Sequence, residues 1–150
     1  ASSSKTSGDN LAHARMGTTV TGVSSNYGGG DDASTYGANM AIDGNPDTEW
    51  SSDGDGNDAW IEIRLPDRVA IKKSGLRTRT MGSSTQVFSF NIVTDLGKTY
   101  GPFDVPDASG VYYYSVSTSA TELRFEVVDS NGGNTGAVEK EIYGDWDPEM

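Results

Sequence analysis

Asp43, Asn45 and Asp47 stand two residues apart within Met40-Ala41-Ile42-Asp43-Gly44-Asn45-Pro46-Asp47-Thr48-Glu49-Trp50, and Gly44 permits a tight turn between them. A hard cation such as Ca2+ takes about six to eight oxygens from carboxylates, amides and backbone carbonyls. This run can supply carboxylate and carbonyl oxygens from one loop, although an Asp-Gly-Asn turn with solvated charges is the simpler reading. A second run, Asp53-Gly54-Asp55-Gly56-Asn57-Asp58, also spaces its oxygens by two. It lacks the bidentate Glu that closes an EF-hand loop at the twelfth position, where Arg64 stands. An exposed turn is expected there.

Glycoside hydrolysis would need two carboxyl groups converging about 5–10 Å apart, one of them in an apolar setting. Glu62, Glu122, Glu126 and Glu141 instead alternate with apolar residues and are expected to face water, and nothing singles out a pair. Basic residues are scarce but clustered: Arg64, Arg68, Lys72, Lys73, Arg77 and Arg79 make up more than half of the 11 Lys+Arg. In Leu76-Arg77-Thr78-Arg79-Thr80 the alternation puts Arg77 and Arg79 on the strand face opposite Leu76. Two readings stand: a solvated sheet face offsetting nearby acids, or a planar bidentate site for sugar hydroxyls or a uronate carboxylate. Tyr27 and Tyr36 lie in a Gly-rich stretch where no packing pattern requires them. They either anchor that loop or stack on the apolar face of a sugar ring.

The elements that must position these groups have period 2. Trp60-Ile61-Glu62-Ile63-Arg64-Leu65 places Ile61, Ile63 and Leu65 on one face. Val87-Phe88-Ser89-Phe90-Asn91-Ile92 groups Phe88, Phe90 and Ile92, and Leu123-Arg124-Phe125-Glu126-Val127 groups Leu123, Phe125 and Val127. Such alternation marks strands with one face on a core and one in water. Shorter strands are predicted at 19–23, 69–72, 75–80, 99–103, 111–116 and 138–143, with turn residues between nearly all of them. Phe88, Phe90, Phe125 and Trp50 are expected in the core. No amphipathic helix is predicted beyond one short turn at 39–42. The fold class expected is therefore all-β, an antiparallel sandwich or jelly roll, with long loops at 24–37 and 43–58.

The 150 residues suit one domain. A net charge of −11 opposes binding to nucleic acid, whose phosphates need a basic face. No apolar run approaches the roughly 20 residues of a membrane-spanning helix. With no Cys, disulfides, thiol catalysis and thiolate zinc are excluded. The single histidine, His13, lies next to the Ser-rich start and is expected to be inert. Residues 1–17 read as a linker or expression remnant, with any export signal already removed. Residues 18–144 read as the domain, and 145–150 as the start of a further linker.

The run Met40 to Ser51, the strand Trp60 to Leu65 and the segment Asn134-Thr135-Gly136-Ala137-Val138-Glu139-Lys140-Glu141-Ile142-Tyr143-Gly144 together resemble a factor V/VIII type C, or discoidin-like, domain. The likeness is strongest to family 32 carbohydrate-binding modules and spans about residues 18–144. It implies a galactose-binding-like antiparallel β-sandwich with one structural Ca2+ and a ligand site on the loops at one end. The Ca2+ ligands it implies are the Met40 carbonyl, the Asp43 carboxylate, the Asn45 backbone, the Thr48 hydroxyl and carbonyl, the Val138 carbonyl and the Glu139 carboxylate. Asp47 is then expected to face solvent.

For the glycan, the resemblance points to Arg79 at the mouth of the 81–85 loop, with Arg77 second, Asn131 and Asn134 in the last loop, and Tyr27 or Tyr36 as the stacking ring. Family members that bind galactose-type sugars often use a His, which no position here matches. An arginine pair without His suits an acidic sugar such as a uronate in alginate or pectin. The function implied is a secreted or extracellular, monomeric, non-catalytic module that docks a linked polysaccharide-degrading enzyme on its polysaccharide or oligosaccharide. Neither nucleic acid nor membrane is expected as a partner. The alternative is an adhesion domain of the discoidin type that binds a protein or cell-surface partner.

Overall fold

The computed structural model describes residues 10–45, 47–79 and 85–146. Seven strands appear among them: β1 Thr19–Val23, β2 Trp50–Ser51, β3 Trp60–Thr78, β4 Val87–Thr94, β5 Thr99–Asp104, β6 Tyr112–Ser130 and β7 Gly136–Trp146. All pairings are antiparallel, in the order β2-β7-β3-β6-β4-β5, with β1 added to the first part of β3. Short 3-10 turns at Ala14–Met16, Tyr27–Gly29, Ala38–Ala41 and Gly56–Asp58 are the helical elements among these residues. No helix there is long and apolar enough to cross a membrane.

The strands read separately from 60 onward are one long strand as far as Thr78. The β3–β6 register shifts between Arg64 and Val69 and again between Ile71 and Lys73. The first shift falls at Pro66, which has no N–H to give a ladder, so the break in pairing is chemically dictated. Such irregularities let a strand bend out of one layer and into the next, which makes a sandwich from a continuous ladder. Between the layers lie Ile61, Ile63, Leu65, Val69, Leu76, Phe90, Ile92, Leu123, Phe125 and Ile142, with Trp50 at the edge of the cluster, all buried. Val127 is only partly buried against them.

Phe88 is not in this core. It is 42% exposed, whereas Val87 and Phe90 are buried. The β4–β6 register shifts on both sides of Ser89, and the extra residue turns Phe88 outward. Lys140 is the opposite case, a cation turned inward. It is buried with Nζ 4.3 Å from the Phe125 ring centre and 5.3 Å from that of Phe90. Burial pushes its ammonium down to about 7, and the ring faces offer it partial electrostatic compensation.

The start of the described chain also departs from expectation. Leu11 and Ala12 are fully buried. The Asn10 side-chain carbonyl accepts from the Ala12 and Ile142 amides at 3.0 and 2.9 Å, and the Leu11 amide donates to the Ile142 carbonyl at 2.8 Å. The Thr18 hydroxyl closes on the Leu11 carbonyl at 2.6 Å. Residues 10–12 thus pack against the body through Ile142 and Thr18. At the other end Asp145 pairs with Ala70 within β7, so the last strand runs on past the expected boundary at 144. Leu11→Ala should lower the unfolding free energy by about 3 kcal/mol in a urea titration. An unchanged midpoint would show the segment to be peripheral.

Candidate functional site

The loops 24–37, 52–58 and 131–135 meet at one end of the sandwich, held by short polar links. The Trp50 indole donates to the Ser25 carbonyl at 3.2 Å, and the Asp53 amide to the Ser25 hydroxyl at 2.8 Å. That hydroxyl donates in turn to Asp55 Oδ2 at 2.5 Å, and the Gly28 amide to Asp53 Oδ1 at 3.3 Å. The acids of the 53–58 run thus fasten one loop to another. The amides of Ser52 and Gly56 donate to the carbonyls of Thr135 and Gly133 at 2.9 and 3.0 Å, which brings in the last loop.

Arg79 lies beneath this junction, only 6% exposed. Its Nε donates to Glu49 Oε1 at 2.8 Å, and its Nη1 to the Ser51 hydroxyl at 2.9 Å and the Asn134 carbonyl at 2.8 Å. Glu49 is buried as well, so the two charges neutralise each other out of water. The guanidinium carbon is 5.5 Å from the centre of the Tyr36 ring. Tyr36 meets Tyr27 edge-on, with centroids 5.7 Å apart and planes at 77°. Exposure rises along this stack, from buried Arg79 through part-buried Tyr36 to Tyr27 at 50%. Arg79, Tyr36, Tyr27 and Asn134 are thus brought together. Asn131 braces the loop instead, its side-chain carbonyl accepting from the Gln86 amide at 2.9 Å. Most of the 81–85 loop expected beside Arg79 lies outside the described residues.

The arginine pair does not share one site. The β3–β7 register shifts between Arg77 and Thr78, and Arg77 donates through Nε to the Ala108 carbonyl at 3.0 Å, far in sequence from the partners of Arg79. The other cations of the cluster are engaged locally. Arg64 pairs with Glu122 at 3.5 Å, Arg68 with Asp95 at 3.4 Å and Lys72 with Asp145 at 3.1 Å. Lys73 lies over the Tyr113 and Tyr143 rings. This is the charge-offsetting sheet, not a unified anion-binding face.

The 40–48 loop gathers oxygens beside β7. The Asn45 amide donates to Asp43 Oδ1 at 3.0 Å, while the Thr48 hydroxyl lies 2.5 Å from Asp43 Oδ2 and 3.1 Å from the Asn45 carbonyl. The Gly44 amide lies 3.2 Å from each Glu139 carboxylate oxygen. Glu139 is buried, and burial together with the Asp43 charge pushes its carboxyl up to about 8. Arg77 is its cross-strand neighbour. No trio of His, Cys, Asp or Glu side chains suited to a metal occurs among the described residues. The donors present, two carboxylates with hydroxyl and carbonyl oxygens, fit a hard cation and not a thiolate- or imidazole-seeking one. Asp47 is exposed, as expected. The His13 ring lies against Gly44, where a side chain would collide with it, so this histidine is packed into the fold.

Glu49, Ser25 and the Asn10–Ala12 segment were not singled out by residue type. Glu49 stood unremarked in the cation-loop run, and only its partnership with Arg79 explains an acid beside a core tryptophan.

The sequence profile of the F5/8 type C domain matches residues 19–142. No curated protein matches the chain. The fold is similar to that of the family 32 module from NanJ of Clostridium perfringens in complex with galactose. The TM-score is 0.71 and the identity 18%, covering 86% of this chain and 95% of that one. It is also similar to CpGH89CBM32-5 from Clostridium perfringens in complex with GalNAc-β-1,3-galactose, with TM-score 0.73 and 19% identity, covering 91% of this chain and all of the other. A family 89 glycoside hydrolase from the same organism contains a region alike at TM-score 0.68 and 23% identity, covering 93% of this chain but 15% of that one.

Removing one member of a buried ion pair strands the other charge and costs about 3–5 kcal/mol, whereas exposed pairs contribute about 1 kcal/mol at most. Glu49→Ala should therefore destabilise the protein by about 3 kcal/mol or more, and Glu122→Ala by less than about 1 kcal/mol, in parallel denaturant titrations. Equal effects would show that the Arg79 pair is not anchoring the loop end.

Proposed function

The chain belongs to the F5/8 type C domain family, and from that premise we propose that it is a non-catalytic module binding a glycan at the Tyr27–Tyr36–Arg79 end. The observation that carries this is Tyr27, half exposed yet set at a fixed angle by Tyr36, which in turn rests on a buried guanidinium. An aromatic ring presented in this way stacks on the C–H face of a pyranose, while loop amides and carboxylates meet its hydroxyls. Two fold neighbours are described in complex with galactose and GalNAc-β-1,3-galactose.

A neutral sugar is the ligand class the geometry supports. The acidic-sugar reading needs an uncompensated arginine pair, but Arg79 is matched by Glu49, and Arg77 lies apart from it beside Glu139 and Glu141. The acids on the strands are likewise engaged: Glu62 and Glu126 with Arg124, and Glu122 with Arg64. Its role in a larger enzyme would be to hold a linked catalytic domain near the polysaccharide at raised effective concentration. The neighbour in which a like region makes up 15% of a glycoside hydrolase supports that arrangement.

The residues proposed to hold Ca2+ are Asp43 and Glu139 through carboxylates, Thr48 through its hydroxyl and carbonyl, and Met40, Asn45 and Val138 through backbone oxygens. When bound, the ion would offset the two carboxylates and tie the 40–48 loop to β7. Addition of EGTA should lower Tm, and restored Ca2+ should raise it again; Glu139→Gln should blunt that response. Identical melting with and without Ca2+ would refute the assignment.

Isothermal titration should detect binding of galactose or GalNAc-β-1,3-galactose, and Tyr27→Ala should weaken it about tenfold or more, the equivalent of about 1.4 kcal/mol. Because Tyr27 is half exposed, the variant should keep its Tm. Undiminished binding would move the site elsewhere, and binding to polygalacturonate alone would restore the acidic ligand.

A further inference from the structure

A second organised surface lies on the sheet, apart from the loop stack. Across β3 and β7, Lys73 faces Tyr143, Gly75 faces Glu141 and Arg77 faces Glu139; across β3 and β6, Gly75 faces Tyr113. Alternate residues of a strand share a face, so these side chains surround Gly75 on one face of three adjacent strands. A Cβ at position 75 would come within 3.0 Å of Tyr113 Cε1 and Val111 Cγ1, and 3.1 Å of Glu141 Cβ. The glycine is therefore the floor that lets its neighbours close in.

The two tyrosines are held by their polar ends. Both hydroxyls donate to Glu141 Oε1, Tyr113 at 3.2 Å and Tyr143 at 2.7 Å, and their ring centres lie 6.1 Å apart. Lys73 Nζ sits 4.8 and 5.0 Å from those centres. Tyr113 nevertheless stays 50% exposed. Alongside is a cavity of about 340 Å3 whose wall runs from Arg77, Val111 and Glu141 to Glu139, Val138 and Gly44 beside the oxygen-rich 40–48 loop. That volume is at the lower end of small-ligand pockets.

The hydrogen-bonding groups there are only partly used. Arg77 engages the protein through Nε, and Glu141 through Oε1. The Arg77 Nη groups and Glu141 Oε2 have no protein partner among the described residues. An unused fork of donors and an unused carboxylate oxygen in one cavity match a ligand whose neighbouring groups both donate and accept, as sugar hydroxyls do. The mixed charge of the lining disfavours a ligand with net charge, and Val111 in the wall, with the half-exposed Tyr113 ring beside Glu141 outside it, offers apolar surface for a C–H face.

We propose that this sheet cavity is a second saccharide subsite, taking one neutral hexopyranose residue with Arg77 and Glu141 on its hydroxyls and Tyr113 at its edge. It stands on its own geometry and does not depend on the loop-end reading. Two subsites on one module would let it hold a chain or branched glycan at two points, with avidity set by the span between them.

The test is two-dimensional NMR on the intact protein titrated separately with galactose, glucose and N-acetylglucosamine, in the original sequence and in Tyr27→Ala. At least one sugar should shift the amides of residues 73–77 and 139–143, and those shifts should persist in Tyr27→Ala. Tyr113→Ala should raise the Kd read from them at least fivefold, and Glu141→Gln should do the same, which covers the case of one variant folding poorly. Shifts confined to the 24–37 and 131–135 loops overturn the proposal while leaving the loop site intact. Absence of shifts in 73–77 and 139–143 with all three sugars overturns it as well. Loss of the loop shifts alone in Tyr27→Ala, with the sheet shifts retained, separates the two sites.

Discussion

A guanidinium stays charged at any pH the protein meets, so a buried Arg79 must be given a carboxylate and further acceptors or the fold cannot close over it. Glu49, the Ser51 hydroxyl and the Asn134 carbonyl meet that demand from two segments distant from it in sequence. Fixing those two segments against Arg79 fixes much else. Glu49 immediately precedes Trp50, whose indole holds the Ser25 carbonyl, and Ser25 in turn holds Asp53 and Asp55. The remaining face of the guanidinium is covered by Tyr36, and Tyr27 stands against Tyr36 at the surface. The loop end is thereby given a fixed base, which would reduce the ordering cost of the binding proposed there.

Strand β7 serves the other half of the molecule in a similar way. Its alternation sends Glu139 and Glu141 to one face and Lys140 to the other. Glu139 turns to the oxygen-rich 40–48 loop, Glu141 gathers two tyrosine hydroxyls, and Lys140 lies over the core aromatics. Three consecutive charged residues in one strand look like a solvated edge. Each instead has a separate environment, and two of the three are buried.

Much of the sandwich was legible because one-sided burial leaves a period-2 trace, and Ile61, Ile63 and Leu65 are buried as that trace requires. The pattern failed where the backbone departs from a regular ladder. Phe88 alternates correctly in sequence yet faces out, because the irregularity at Ser89 leaves no mark in residue type. The Leu11-Ala12 pair is too short to show a period, and it docks through the side chain of Asn10. At the site, Tyr27, Tyr36, Arg79 and Asn134 were identifiable by chemistry and family likeness, and the structure joins them. What sequence could not show is that Arg79 is neutralised by Glu49 and that Arg77 lies on another element. Those facts depend on the register shift after Arg77 and on contacts made by residues 30 and 55 positions away. They are the reason a neutral sugar is proposed in place of an acidic one.

In the proposed function, Tyr27 is a stacking ring on a charge-neutral base. A crystal structure of the intact chain with GalNAc-β-1,3-galactose tests it most directly. One pyranose ring should lie flat on Tyr27, about 4 Å from the aromatic face, with the Arg79–Glu49 pair undisturbed beneath. A sugar bound with Tyr27 untouched, or an Arg79 side chain released from Glu49 to grip a ligand, would contradict it.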